Sequence, residues 1–495
     1  MIATRTDQPR RTRRSRRIFF ALVLGSLCGV ALVPLLAQQS PDRTRPPLLG
    51  PPPPLSLPPI QKRALSNGLP VWVIEMHEVP IAQINLVVQA GSGDDPAGKF
   101  GTASLTAAML DEGAGSRSAL ELADAVEFLG ADLATTSTFD SSAVRLNVPI
   151  ARLNDALPIM ADVALRPTFP EDELNRVRQE RLTSLLQAKD DPPSIAAMAF
   201  SRIVFGPTHR YGTGAVGTES TLKTLSTQDL EAFHSTFFQP TNAALVVVGD
   251  VKADAVVAAL EKQFGGWKAT APARRVEVPT ARQLTTGQIY IVDKPGAEQS
   301  QIRIGWVGVP RNNPDYFPLQ VLNTVLGGSF TSRLNQNLRE EHGYAYGASS
   351  AFDMRLSAGP FVAAAGVQTD KTSESVREFF NELNGITKPI PADELTKARN
   401  YIALGFPSDF ETTRDLAGNA EQLIVYRLPD AFFERYVANI QAVTADTVQK
   451  VAAKHIQPTN FAVVVVGDRT RIEAGIRALS LLPVRVMTVD EALGP

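Results

Sequence analysis

Arg339 and Tyr346 stand seven residues apart in the stretch Leu326-Gly-Gly-Ser-Phe-Thr-Ser-Arg-Leu-Asn-Gln-Asn-Leu-Arg-Glu-Glu-His-Gly-Tyr-Ala-Tyr346. A guanidinium fork and a phenol held on ordered elements can both donate hydrogen bonds to one carbonyl or carboxylate oxygen. Taken alone, the pair reads as a surface arginine and a half-buried strand tyrosine, and the rest of the chain must argue for more. The surrounding residues must position them. The pair Gly327-Gly328 allows a sharp turn or a close backbone approach. Ser332 offers an N-cap, and Leu334 and Leu338 give a short helix its apolar face. His342 and Gly343 close that helix, with Gly343 suited to a left-handed C-terminal position. A strand follows, in which alternation would put Tyr344 and Tyr346 on one face and make Tyr344 a lesser candidate.

Other chemistries find little support. The five histidines are His77, His209, His234, His342 and His455; no two lie within five residues, so each reads as a capping, surface or satisfied buried residue. Cys28 is the only cysteine and sits near the N-terminus, so the rest of the chain has no disulfide and no thiolate for metal or redox work. There is no Gly-x-Ser-x-Gly elbow and no phosphate loop ending in Gly-Lys-Ser/Thr. The adjacent acids Glu340-Glu341 and Asp190-Asp191 point apart on a helix and read as solvated or capping charges. His209-Arg-Tyr211 reads as a loop that packs a sheet.

Residues 1–17 carry seven Arg and one Asp, and residues 18–37 are uncharged and mostly apolar. This is the pattern of an export signal, with a cut expected after Ala37, or of a single membrane anchor if uncut. Ser15-Arg-Arg-Ile-Phe-Phe20 also resembles a twin-arginine address. Loss of 1–37 would move the formal net charge from −2 to −8 (−2 − 7 + 1), which disfavours nucleic acid and anionic membranes as partners. Residues 38–60 are Pro-rich and read as an extended linker.

An internal repeat divides the remainder. Gln239-Pro-Thr-Asn-Ala-Ala-Leu-Val-Val-Val-Gly-Asp250 recurs as Gln457-Pro-Thr-Asn-Phe-Ala-Val-Val-Val-Val-Gly-Asp468, an offset of 457 − 239 = 218 residues. Each copy follows a helix start signal and ends in a valine run, as expected of a strand buried on both faces. Patterning predicts strands over 70–75, 81–89, 132–138 and 143–148, with helices over 100–112, 152–165 and 171–189. Ser118-Ala-Leu-Glu121 marks a capping box for a further helix closed by Gly130. In the second half, strands are expected over 289–292 and 302–307 and a helix over 316–326. The clumped alternation argues an α+β fold of two homologous halves, 61–270 and 284–485, each a sheet with helices packed on one face.

Taken in order, several motifs resemble the pitrilysin/insulinase family of inverted-zinc-motif metallopeptidases. They are Ser66-Asn-Gly-Leu69, Gly91-Ser-Gly93, Gly101-x-Ala103, Asp191-Pro192, Tyr211-Gly212, the repeated Val-Val-Val-Gly-Asp, and Gly327-Gly-Ser with Leu338-Arg-Glu-Glu-His-Gly343. The resemblance covers nearly all of residues 61–490. It implies mostly antiparallel sheets in two halves that make one bowl of a clamshell. Active members place His-x-x-Glu-His on the helix after Gly-x-Ala, with a further Glu on a later helix. Aligned residue by residue, the histidine positions are Ser104 and Ala108, the general-base position is Ala107, and the third-ligand position is Ser184. All four groups are missing, so no zinc is expected on this chain.

In the family an Arg and a Tyr reach across from the opposing half, and Arg339 and Tyr346 match them. The resemblance therefore implies a non-catalytic subunit of a heterodimeric, exported zinc peptidase. Zinc would be carried by a homologous partner chain, the substrate would be a short or unfolded peptide, and the membrane would be met only through an uncut N-terminal segment. A catalytically inactive structural or peptide-binding scaffold of the same fold is the alternative, and an active enzyme with displaced ligands a third reading.

Overall fold

The computed structural model describes residues 55–270, 272, 275–456 and 460–494. The export segment, the linker as far as 54 and residues 457–459 of the second repeat lie outside the described residues. Among the described residues no helix is long and apolar enough to cross a membrane.

The fold is α+β and is built on two six-stranded sheets. In the first, β1 (Gln61–Ala64), β2 (Pro70–Glu75), β3 (Ile81–Val88), β4 (Asp132–Ser137), β5 (Ser142–Pro149) and β6 (Ala243–Gly249) lie in the order β1-β2-β6-β3-β5-β4. Only β2 and β6 run parallel. The second holds β7 (Gln288–Asp293), β8 (Gln299–Val307), β9 (Ala345–Phe352), β10 (Pro360–Gln368), β11 (Ala462–Gly467) and β12 (Val484–Met487), in the order β9-β10-β8-β11-β7-β12. There β7 pairs in parallel with both β11 and β12. Apart from the edge strands β1 and β12, the two orders are the same, β2-β6-β3-β5-β4 matching β7-β11-β8-β10-β9. The valine runs of the sequence repeat are β6 and β11, buried at every residue inside their sheets, where only continuously apolar strands are tolerated.

Each half packs its own helices on one face of its sheet. In the first these include α1 (Thr102–Met109), α2 (Leu153–Leu165), α3 (Glu171–Ala188), α5 (Thr227–Phe237) and α6 (Ala253–Phe264); Leu105, Met109, Met160, Phe233 and Leu260 bury against Val71, Ile84, Leu86 and Leu146. In the second half α7 (Tyr316–Leu326), α8 (Thr372–Gly385) and α10 (Ala445–His455) bring Leu322, Phe379 and Val448 to Ile291, Ile304 and Trp306.

The opposite face of each sheet is covered by a helix from the other half. α4 (Pro192–Phe205) lays Ile195, Ala196, Ala199 and Phe200 on Val292, Val464 and Val466 of the second sheet. α9 (Thr413–Val425) lays Leu416, Ala417, Ala420 and Ile424 on Val87, Val246 and Val248 of the first. Asp191-Pro192 opens α4 locally: the Asp191 carboxylate accepts from Ser194 N–H at 3.0 Å, and Pro192 takes a first-turn position that needs no donor. Opposite α4, Gly305 leaves room for the Phe200 ring, because a Cβ there would fall 2.8 Å from it and 2.0 Å from the Phe361 carbonyl oxygen.

α9 also carries the polar pin of this exchange. Glu421, 8% exposed, accepts from Asn85 Nδ2 at 2.5 Å and from Arg145 Nε and Nη2 at 3.0 and 2.6 Å. Gln83 and Asn147 extend the network along the sheet. Removing Glu421 leaves the Asn85 amide without this acceptor and the part-buried Arg145 guanidinium with only its bond to the Thr136 hydroxyl. Glu421→Ala should therefore cost about 3–5 kcal/mol in denaturant unfolding, and Glu421→Gln, which keeps one acceptor oxygen, should cost less. Equal losses in the two variants would show that the charge and its bonds do not hold α9 in place.

Candidate functional site

The glycine pair after α7 is explained by what it touches. A Cβ on Gly327 would lie 2.3 Å from Ser350 N, and Ser350 N–H donates to Gly327 O at 3.1 Å, so this turn sits directly on strand β9. A Cβ on Gly328 would meet Asn323. Ser332 stands at the N-cap position with extended backbone, but its hydroxyl makes no capping bond; it is turned inward, 2% exposed and without a hydrogen-bond partner. Asn335 ties the segment instead, donating from Nδ2 to Phe330 O at 2.6 Å and accepting from Ala348 N–H at 3.1 Å.

The helix itself differs from an ordinary α-helix. One turn, Arg333–Asn335, widens into a π-helix over Gln336–Glu341, with His342 N–H reaching back five residues to Asn337 O. Leu334 and Leu338 are fully buried beneath it. Gly343, at φ +65°, ends the turn as expected, and Tyr344 N–H closes on Leu338 O at 2.8 Å. Wide π turns recur at functional sites because they change where side chains aim. Here the last basic side chain of the turn is Arg339, whose guanidinium lies 4.5 Å from the centre of the Phe330 ring and 3.2 Å from Glu340.

Tyr346 sits in a second irregularity. β9 is an edge strand, and its pairing with β10 slips between Ala345 and Ala348, so Tyr346 and Gly347 form a bulge. A bulge re-aims the side chains it carries. The ring of Tyr346 is 87% exposed. Tyr344 does not share its face: it lies before the strand, partly buried against the second-half core, and stacks on His342 with ring centres 4.9 Å apart. The expected alternation fails because Tyr344 belongs to the turn that closes the π-helix, ahead of the strand. Arg339 and Tyr346 line one open cavity of about 620 Å³, together with Phe330, Asn335, Ser349 and Tyr401.

The other candidate positions lie on α1 and α3. α1 begins at Gly101, whose φ of +102° and whose contact with Val216 O exclude a side chain. Sequence reasoning missed what caps it. The carboxylate of Asp95, fully buried, accepts from Gly101 and Ala103 N–H at 2.7 Å each and from Arg210 Nη2 at 3.0 Å. Burial pushes Asp95 up to about 6 against the pull of Arg210 and the two amides. The signal available was an acid upstream of a helix start. His209-Arg-Tyr211 is the packing loop it resembled, with Arg210 on Asp95 and Tyr211 edge-on to Phe139 and Phe205.

On α1, Ala107 is buried and Ser104 and Ala108 are partly buried; Ser184 on α3 is exposed and donates to Glu180 O of its own helix. None of the four supplies an imidazole or a carboxylate, so this donor set does not fit zinc. Among the described residues no three His, Cys, Asp or Glu side chains gather where they could hold a metal ion. Four of the five histidines are engaged locally: His77 with Asp250, His209 with Pro279 O, His234 with Ala164 O and His455 with Asp315. Arg181, which sequence reasoning also missed, crosses from α3 and donates to Ser104 O at 2.8 Å.

The twin-sheet α+β fold built from two repeats defines an architecture of the zinc-peptidase class. Residues 71–208 match the family described as Insulinase (Peptidase family M16), and residues 224–402 match Peptidase M16 inactive domain. The chain belongs to the pitrilysin/insulinase family, peptidase family M16. An uncharacterised zinc protease of Mycobacterium leprae is 26% identical over 348 residues, 70% of this chain and 76% of that protein. The crystal structure of a peptidase M16 inactive domain from Pseudomonas fluorescens superposes with a TM-score of 0.77 at 25% identity, covering 82% of this chain and 98% of that one. The periplasmic protease PqqL of Escherichia coli shares the fold, with a TM-score of 0.71 at 15% identity over 88% of this chain and 50% of its own.

Because Gly327 touches backbone rather than a flexible side chain, β9 must shift to admit a methyl. Gly327→Ala should lower stability by about 1–3 kcal/mol, read as a lowered melting midpoint, with faster amide exchange in β9. Wild-type exchange there would contradict the role of the glycine contact.

Proposed function

We propose that this chain is the non-catalytic subunit of an exported, heterodimeric zinc peptidase. The observation that carries the reading is the division between its two walls. The positions that align with the family's zinc ligands are Ser104, Ala108 and Ser184, and its general base aligns with Ala107, whereas Arg339 and Tyr346 line one open cavity. A homologous partner chain with an intact motif supplies the metal. Arg339 and Tyr346 then serve as donors to the carbonyl oxygen that gains negative charge when the peptide bond is attacked. A preorganised phenol and guanidinium favour that charge over the neutral carbonyl, which is the condition for a rate effect. β9 adds a strand edge, unpaired among the described residues, beside the cavity and suited to the backbone of an extended peptide. Short or unfolded peptides fit such an edge, and a folded domain, with its own strands already paired, does not. The charged and apolar N-terminal segment, and likeness in fold to a periplasmic protease, support export.

The edge strand and exposed aromatics also support the second reading, a peptide-binding scaffold without hydrolysis. Co-purification followed by mass spectrometry separates the two, since the first requires a homologue bearing His-x-x-Glu-His. The reconstituted pair should cleave an unfolded peptide and the isolated chain should not; activity with stoichiometric zinc in the isolated chain would overturn the proposal. In the pair, Tyr346→Phe should lower kcat by about 10²–10³ with little change in KM. An unchanged rate would assign Tyr346 to packing or binding alone.

A further inference from the structure

A buried charge stands among the positions that align with the family's metal site. Arg181 lies one turn before Ser184 on α3, so positions 181 and 184 are neighbours on that helix. Its Nη2 crosses to the carbonyl of Ser104, on the turn of α1 that runs from 104 to 108. Its Nη1 is buried and meets no acceptor among the described residues. Burial alone draws the guanidinium down to about 10, so this cation has lost much of its water for a single carbonyl bond. Such a group is costly unless it does something for the fold.

We propose that Arg181 is a fixed cation standing in for the metal, tying α3 to α1 and closing this site to a divalent ion. A metal held between 104, 108 and 184 would lie beside the guanidinium and be repelled by it. A carboxylate placed at 184 would pair with Arg181, its neighbour three residues away, and be lost as a ligand. Restoring the ligands alone therefore does not restore the site. The inference concerns this wall of the chain and does not depend on the paired-peptidase reading.

The test compares zinc affinity, by chelator competition and metal analysis after dialysis, in two full-length variants. One carries Ser104→His, Ala107→Glu, Ala108→His and Ser184→Glu; the other adds Arg181→Leu, which keeps the apolar stem. The second should bind about one zinc per chain, and the first should bind at least about tenfold more weakly, as expected of an unscreened like charge close to the ion. Equal affinities would overturn the proposal. Arg181→Leu alone, in the natural sequence, reads the tie: amide exchange should quicken in α3 and α1 and stay unchanged in β3 and β6. Unaltered exchange in both helices would equally defeat it.

Discussion

Exchange of one helix between the halves is the constraint on which the rest of the molecule depends. Each sheet has two apolar faces, and a half supplies helices enough to cover only one. The valines of β6 and β11 are buried on both sides only because α9 and α4 cross over. Burial of this kind is the main favourable term in folding and has no directionality of its own. Direction comes from polar and steric details: Glu421 held by Arg145 and Asn85 under α9, and Phe200 received at Gly305 under α4. The rigid frame that results fixes where β9, α1 and α3 stand.

On that frame the two halves have diverged at equivalent places. In each, a helix follows the second long strand and leads toward the edge strand of the sheet. In the first half that helix is α1, whose partly buried turn from Ser104 to Ala108 receives Arg181 at the Ser104 carbonyl. In the second it is α7, followed by a glycine turn, a π turn and a bulge that together bring Arg339 and Tyr346 to one cavity. The family's peptidase chemistry needs an electrophile and hydrogen-bond donors on facing walls. In this chain one half presents the Arg339–Tyr346 cavity and the other holds a buried guanidinium. A fold can be kept while its chemistry is redistributed, because the frame and the site draw on different residues.

How much of this the sequence disclosed follows from the range of each signal. The repeat ending in Val-Gly-Asp announced two halves, and the six-strand sheets carry those runs at their centres. Element positions such as Pro70–Glu75 and Tyr316–Leu326 were legible because periodicity and flanking glycines are local. The crossing of α4 and α9 was not, since an apolar helix face reveals burial but not the partner. Ser332 misled because a residue type favoured at helix starts says nothing of where its hydroxyl turns. The π turn and the bulge were hidden for a similar reason: both arise from how Leu334, Leu338 and Asn335 seat against β9, not from residue type. Arg181 passed unnoticed because a mid-helix arginine is ordinarily solvated.

The shared cover has a consequence for biosynthesis. β6 ends at Gly249, and the helix that shields its free face begins at Thr413, a separation of 413 − 249 = 164 residues. At ribosomal rates of about 5–20 residues per second, that gap lasts roughly 8–30 s. Throughout it the nascent first half presents a bare valine ribbon, the kind of surface that sticks to other unfinished chains. The first half cannot cover this face by itself as it emerges, so its completion waits until α9 has been made.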